Sequence, residues 1–273
     1  MQLDLKRYIV EESLRQSCIF ISANYRLLIP SSVSNMMEDV QSLFSLIRSG
    51  KLQSTLPEIR LNTSKIICSG SSAGGLLALL SATHLVIPPS GILCMYSLGG
   101  ASFTPQKLVN EQNYFGNRDV LEAEAFQDYL SPLSRDLEEV EESEDINSPR
   151  KELFLLHQQK GILLDAIAGE PGLSETVRSE ERLADRSLFP MLATEQERAG
   201  WPSTLILHGS KDDAVPPRDS IELAKFLGAE CLIVEGGLHN GEMKNNAIWL
   251  AAESRAAEWM KGILKAEQVV VCR

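Results

Sequence analysis

Ser72 stands in Gly70-Ser71-Ser72-Ala73-Gly74, a G-x-S-x-G pentapeptide. The apolar run Ile66-Ile67-Cys68 precedes it, and a helix-forming stretch carrying Leu76, Leu77, Leu79 and Leu80 follows. A serine hydroxyl is a weak nucleophile until it is held exposed beside a base, and a sharp strand-to-helix turn holds it so. Small residues at Gly70 and Gly74 let such a turn close. The helix that starts at Ala73 would aim its positive end and free N–H groups at the point where an oxyanion forms.

A nucleophilic serine needs a base, and the base needs a carboxylate to fix its tautomer. The chain holds four histidines. His239 lies in a glycine-rich loop, Glu235-Gly236-Gly237-Leu238-His239-Asn240-Gly241, just past an apolar run. His208 follows directly on another such run, Thr204 to Leu207, while His84 and His157 sit in helical stretches. Asp212 and Asp213, in the loop after His208, are the candidate carboxylates. The order Ser72, Asp212, His239 is that in which successive strand-end loops of a parallel sheet supply nucleophile, acid and base.

The elements that must position these groups are legible as short apolar runs alternating with helical periodicity. Strands are predicted at Cys18 to Ala23, Lys65 to Ser69, Gly91 to Tyr96, Thr204 to Leu207 and Cys231 to Val234. Between the first two, Asn35 and Glu38 have the spacing of a capping box, ahead of Val40, Leu43, Phe44 and Ile47 on one helical face. Further helices are expected after Ser72, at about Arg218 to Phe226, and at about Asn246 to Leu264, where Trp249, Ala252, Ala256, Trp259 and Ile263 form one stripe. Continuous apolar strands separated by helices indicate an α/β chain with a mostly parallel sheet covered on both faces. Residues 101–201 break the rhythm: they are rich in Glu, Asp, Ser and Arg, with helical pieces such as Arg150 to Ala168. They read as a helical cap inserted into a core made of residues 1–100 and 202–273, lying over the edge where open α/β sheets place their sites. The acidic run Glu138, Glu139, Glu141, Glu142 and Glu144 reads as a solvated face or loop.

Bulk properties narrow the classes. At 273 residues and 44% hydrophobic content the chain can bury a large core. A net charge of −11 argues against binding a nucleic-acid backbone, which needs clustered Lys and Arg. The five cysteines (Cys18, Cys68, Cys94, Cys231 and Cys272) are scattered, mostly in apolar runs, and read as reduced core residues. The start is charged, without the apolar stretch of a signal peptide, and no run approaches the roughly 18 apolar residues of a membrane span. A soluble cytoplasmic protein is the expectation.

Asn24-Tyr25-Arg26-Leu27, Gly70-Ser71-Ser72-Ala73-Gly74-Gly75, His208-Gly209-x-x-Asp212-x-x-Val215-Pro216 and Gly236-x-x-His239 together resemble the hormone-sensitive-lipase-like esterases of the α/β-hydrolase superfamily. The resemblance covers the two flanks of the chain and not its middle third. It implies that Ser72 is the nucleophile, His239 the general base and then acid, and Asp212, rather than Asp213, the orienting carboxylate. His208 would brace the acid loop. The substrate would be a small-molecule carboxylic ester, cleaved without metal or organic cofactor. Three positions depart from the family pattern: Ser71 replaces the usual aspartate, Leu28-Ile29-Pro30 replaces Ala-Pro-Glu, and Asn240-Gly241 replaces Gly-Phe after the histidine.

The family also carries a His-Gly-Gly-Gly oxyanion loop some way before the Tyr-Arg-Leu run, and only 24 residues precede Tyr25 here. Those residues resemble the helix that follows the loop, with Leu5, Tyr8 and Ile9 as its buried stripe. Loss of one oxyanion donor typically costs about 3 to 4 kcal/mol. In this superfamily the strand before that loop lies between the strands ending near Ala23 and Ser69, so its absence would leave a gap in the sheet. Either the native chain begins upstream of Met1, which is the favoured expectation, or the sheet re-pairs and turnover is poor. Two other readings stand beside the esterase: a prolyl-oligopeptidase-like serine peptidase or amidase, which shares the His-Gly-x-x-Asp-x-x-Val-Pro pattern, and a binding protein that keeps the pocket without turnover.

Overall fold

The computed structural model describes residues 7–111, 119–126, 150–179, 184–240 and 246–265. The helices are α1 (Arg7–Arg15), α2 (Val33–Arg48), α3 (Lys51–Thr55), α4 (Ala73–His84), α5 (Pro105–Leu108), α6 (Arg150–Gln159), α7 (Leu163–Ala168), α8 (Leu173–Arg178), α9 (Glu195–Ala199), α10 (Pro217–Leu227) and α11 (Asn246–Lys265). The strands are β1 (Ile67–Ser71), β2 (Gly91–Met95), β3 (Ser203–Gly209) and β4 (Glu230–Val234), and they form one sheet in chain order with every pairing parallel. The register sets Ser71 beside Met95, Met95 beside Leu207, and Gly209 beside Val234, so the carboxyl ends of all four strands reach one edge.

Both faces of this sheet are covered, which explains the continuous apolar runs of its strands. Ile92, Cys94 and Ile206 point to one face, where they pack with Ala78 and Leu79 of α4 and with Leu223, Ala224 and Leu227 of α10. Leu93, Met95, Leu205 and Leu207 point to the other, against Ile9 of α1 and Trp249, Ala252, Ala256 and Trp259 of α11. The period of two along each strand thus carries an apolar residue to each side. Between β2 and β3 the described residues hold helices and no strand. Leu163, Leu164, Ile167 and Leu173, from α7 and α8, share one buried cluster with Met36 and Met37 of α2 and Leu76, Leu77 and Leu80 of α4. Arg150 to Ala168 is broken into two helices at Gly161, whose φ is +64° and where an added Cβ would lie 2.8 Å from the Val109 carbonyl oxygen.

Two local expectations are corrected. The segment Cys18 to Ala23 forms no strand. Ile19 and Ile21 are exposed on it, and β1, the nearest strand in chain order, is the outermost of the described sheet. An apolar run becomes a strand only where a neighbour accepts its ladder of hydrogen bonds. The capping box of α2 belongs to Ser32 and Asn35, not Asn35 and Glu38: the Asn35 N–H donates to Ser32 Oγ, and the Ser32 N–H donates to Asn35 Oδ1 at 3.1 Å. The carboxylate of Glu38 is instead drawn to Arg26, 2.9 Å away. Leu5, Cys272 and the acidic run from Glu138 to Glu144 lie outside the described residues. No helix among the described residues is long and apolar enough to cross a membrane.

Leu79 has no exposed surface and sits between α4 and the sheet. Leu79→Ala is expected to lower unfolding stability by about 2–5 kcal/mol, whereas Val86→Ala, at a fully exposed position, changes it by under about 0.5 kcal/mol. Urea denaturation midpoints of the two variants check the contrast.

Candidate active site

Ser72 occupies the turn between β1 and α4 with φ 51° and ψ −119°, a conformation that few non-glycine residues adopt. Its N–H donates to the Met95 carbonyl at 3.0 Å, and its own carbonyl accepts from Gly75, Leu76 and Leu98. The turn closes so tightly that a Cβ at Gly70 would meet the Gly74 carbonyl oxygen at 2.1 Å, and one at Gly75 would meet the Ser97 side chain at 2.6 Å. Glycine is therefore a steric requirement at Gly70 and Gly75. The N–H groups of Ala73 and Gly74 open the helix and donate to no group among the described residues. They are free to receive an anion at the positive end of a buried helix.

The β3 and β4 loops are drawn together by a second close approach. A Cβ at Gly209 would sit 2.3 Å from the Gly237 carbonyl oxygen, so only glycine lets the two backbones touch. The Lys211 N–H donates to that carbonyl at 2.8 Å, and Ser210 bonds both Val234 and Gly236. This contact brings Asp212 Oδ2 to 2.8 Å from His239 Nδ1. The other oxygen, Oδ1, accepts from the Ala214 and Val215 N–H groups, each at 2.8 Å. Asp213 is exposed, so burial and hydrogen bonding single out Asp212 of the adjacent pair.

His208 is wholly buried beneath this loop. Its Nε2 lies 3.0 Å from the Val215 carbonyl oxygen and 3.2 Å from Asp212 Oδ2. A carbonyl only accepts, so Nε2 carries the proton and Nδ1 accepts from the Ser220 hydroxyl at 2.6 Å. Burial pushes the Asp212 pKa up, but hydrogen bonds from His208 and His239, the charge of His239 and the Val215 N–H outweigh it and hold the carboxyl well below its usual range. An ionised Asp212 keeps the His239 proton on Nδ1 and leaves Nε2 to act as a base. His84 and His157 instead bond the Leu80 and Leu153 carbonyls of their own helices.

Several residues that sequence reasoning does not single out complete this edge. Tyr96, at the end of β2 with φ 37°, lays its ring 4.6 Å from the His239 imidazole and donates from its hydroxyl to Asn240 Oδ1 at 2.9 Å. Ser72, Tyr96 and Asn240 all hold positive φ, so non-glycine backbone strain gathers in the turns after β1 and β2 and in the loop after β4. A cleft opens beside Ser72, walled by Leu98, Phe103, Phe154 and Val215 and including Ser102 and Asp219. The buried Asp219 accepts from the Ser102 N–H at 3.1 Å and from its hydroxyl at 2.9 Å, which ties the β2 loop to α10. Only strand-end position hints at Tyr96 in the sequence, and nothing marks Asp219. No cluster of three metal-ligating side chains stands among the described residues.

Because the folded pKa of Asp212 is depressed, its carboxylate adds stability above its unfolded value of about 3.9, and this is lost as pH falls toward the folded value. The stability gap between wild type and Asp212→Asn should shrink as pH falls from about 4 to 2. Urea midpoints across that range check it, and an unchanging gap contradicts the assignment.

No family model and no curated protein matches the sequence. Solved structures do match the fold. A carboxyl esterase 2 from the mycorrhizal fungus Tuber melanosporum superposes with a TM-score of 0.57 at 15% identity, over 95% of this chain and 72% of that one. An alpha/beta hydrolase superfamily protein from Enterococcus faecalis gives 0.59 at 15% identity, over 94% and 84%. A puromycin hydrolase gives 0.50 at 14% identity, over 87% of this chain and 26% of that one. The parallel sheet, the strained strand-to-helix turn and these superpositions together show that the chain has the α/β-hydrolase fold.

Proposed function

We propose that the chain is a serine hydrolase of the hormone-sensitive-lipase-like kind, cleaving carboxylic esters through an acyl-enzyme on Ser72. The observation that carries this reading is the Asp212–His239 hydrogen bond of 2.8 Å at the sheet edge that also bears Ser72 in its strained turn. The solved carboxyl esterase that shares the fold supports it. In this reading residues 101–201 form a cap whose helix α6 roofs the serine with Phe154 and Gln158.

The chemistry follows from the groups present. His239 Nε2 takes the Ser72 proton as Oγ attacks the ester carbonyl carbon, and Asp212 remains ionised, steadying the imidazolium. The Ala73 N–H donates to the tetrahedral oxyanion at the start of α4. The intermediate collapses, His239 protonates the departing alcohol, and the acyl group stays on Ser72. Water, deprotonated by His239, then attacks the acyl carbon and releases the acid. The apolar walls at Leu98, Phe103 and Phe154 keep bulk water from the reacting bond. None of these steps calls for a metal or organic cofactor.

Purified protein is expected to hydrolyse p-nitrophenyl acetate and butyrate in preference to aminoacyl anilides. The opposite preference would favour the peptidase or amidase reading, and turnover of neither would favour a binding protein. Ser72→Ala and His239→Ala should each lower kcat by about 10⁴-fold or more, and Asp212→Asn by up to about 10⁴-fold, with far smaller changes in KM.

A further inference from the structure

Gln158 lines the cleft beside Ser72, is 5% exposed, and has its side-chain oxygen buried without a hydrogen-bond partner among the described residues. Its neighbours at the end of α6 behave differently. Gln159 accepts from the Leu121 N–H at 2.9 Å and donates to the Asp119 carbonyl at 3.1 Å, and His157 bonds the Leu153 carbonyl at 2.8 Å. Of three consecutive polar side chains, two are satisfied within the protein and the one that faces the cleft is not.

A buried amide oxygen with no donor is a standing penalty that an apolar residue of the same size would not carry. Leu108, Phe103 and Phe154 are apolar, Ser102 and Asp219 are already bonded to each other, and the Ser72 hydroxyl, which lines the same cleft, does not donate to it. Phe154 lies one helical turn before Gln158 and faces the same space, so the helix presents an apolar surface with one amide set in it, whose oxygen is the buried, unpartnered atom. A ligand complementary to this wall is apolar over most of its length and carries one hydrogen-bond donor.

We propose that Gln158 determines substrate specificity, accepting a hydrogen bond from a hydroxyl group on an otherwise apolar ester. This rests on the esterase reading of Ser72 and deepens it by naming the substrate class. A site whose buried acceptor is satisfied only by the correct substrate discriminates against the analogue that lacks the donor, because the acceptor is then left unpaired. Gln158 is not required for bond cleavage itself, so plain esters remain substrates, though poorer ones.

Two matched pairs of esters test the assignment: p-nitrophenyl 3-hydroxybutyrate against p-nitrophenyl butyrate, and 2-hydroxyethyl butyrate against propyl butyrate. Wild type should favour the hydroxylated member of at least one pair by about 10- to 100-fold in kcat/KM. Gln158→Leu should abolish that preference and raise thermal stability. Gln158→Glu, which keeps an acceptor, should retain the preference. The same ratios measured as affinities in a Ser72→Ala background, by calorimetric titration with the intact esters, do not depend on turnover. A preference in binding that vanishes with Gln158→Leu supports the proposal even if wild type turns over no ester, an outcome that would overturn only the esterase reading. Equal binding of both members in both pairs, or a preference unaffected by Gln158→Leu, overturns the proposal.

Discussion

A carboxylate taken out of water must be surrounded by donors, and Asp212 meets that demand in a way that fixes the geometry of the whole sheet edge. Two backbone N–H groups of its own loop hold one oxygen, while His239 and His208 address the other. The partners come from β3, from the turn before α10 and from the loop after β4, so satisfying one buried charge locks three segments together. Below it, His208 is itself saturated by Ser220 and Val215. The imidazole of His239 can therefore turn little: Asp212 holds Nδ1 and the Tyr96 ring lies against its face.

Glycine makes these approaches possible at two places along the edge. At Gly70 the strand meets the Gly74 carbonyl of the helix it feeds, and at Gly209 and Gly237 two backbones cross in contact. The same sheet that delivers these turns is buried on both faces, so its strand ends cannot drift without disturbing packed side chains such as Leu79, Ile206 and Trp249. Rigid core and strained edge are thus parts of one design, in which packing holds Ser72, Tyr96 and Asn240 in backbone conformations they would not adopt alone.

Much of this was legible in the sequence, for reasons that can be named. Strands with both faces buried appear as unbroken apolar runs, so Gly91 to Met95 and Ser203 to Gly209 lie within a residue or two of expectation, as does the half-buried edge strand Glu230 to Val234. The pentapeptide around Ser72 is legible because sterics leave few residues able to fill it. Cys18 to Ala23 misleads because its apolar run is local, whereas strand pairing depends on a neighbour distant in the chain. Ser32 replaces Asn35 at the α2 cap because either residue can cap, and the tertiary pull of Arg26 on Glu38 decides between them. Gln158 was illegible for a simpler reason. In sequence His157-Gln158-Gln159 is an ordinary polar helix end, and only folding shows which of the three faces the cleft.

The account stands on the Ser72 hydroxyl being made nucleophilic by an imidazole that Asp212 orients. Covalent labelling by a fluorophosphonate probe, read as intact mass and mapped by peptide, measures that reactivity without assuming a substrate. The account predicts a single adduct on the Ser72 peptide, formed rapidly by wild type and far more slowly by folded His239→Ala and Asp212→Ala. A wild type that takes up no probe, or an adduct that forms equally fast without His239, would contradict it.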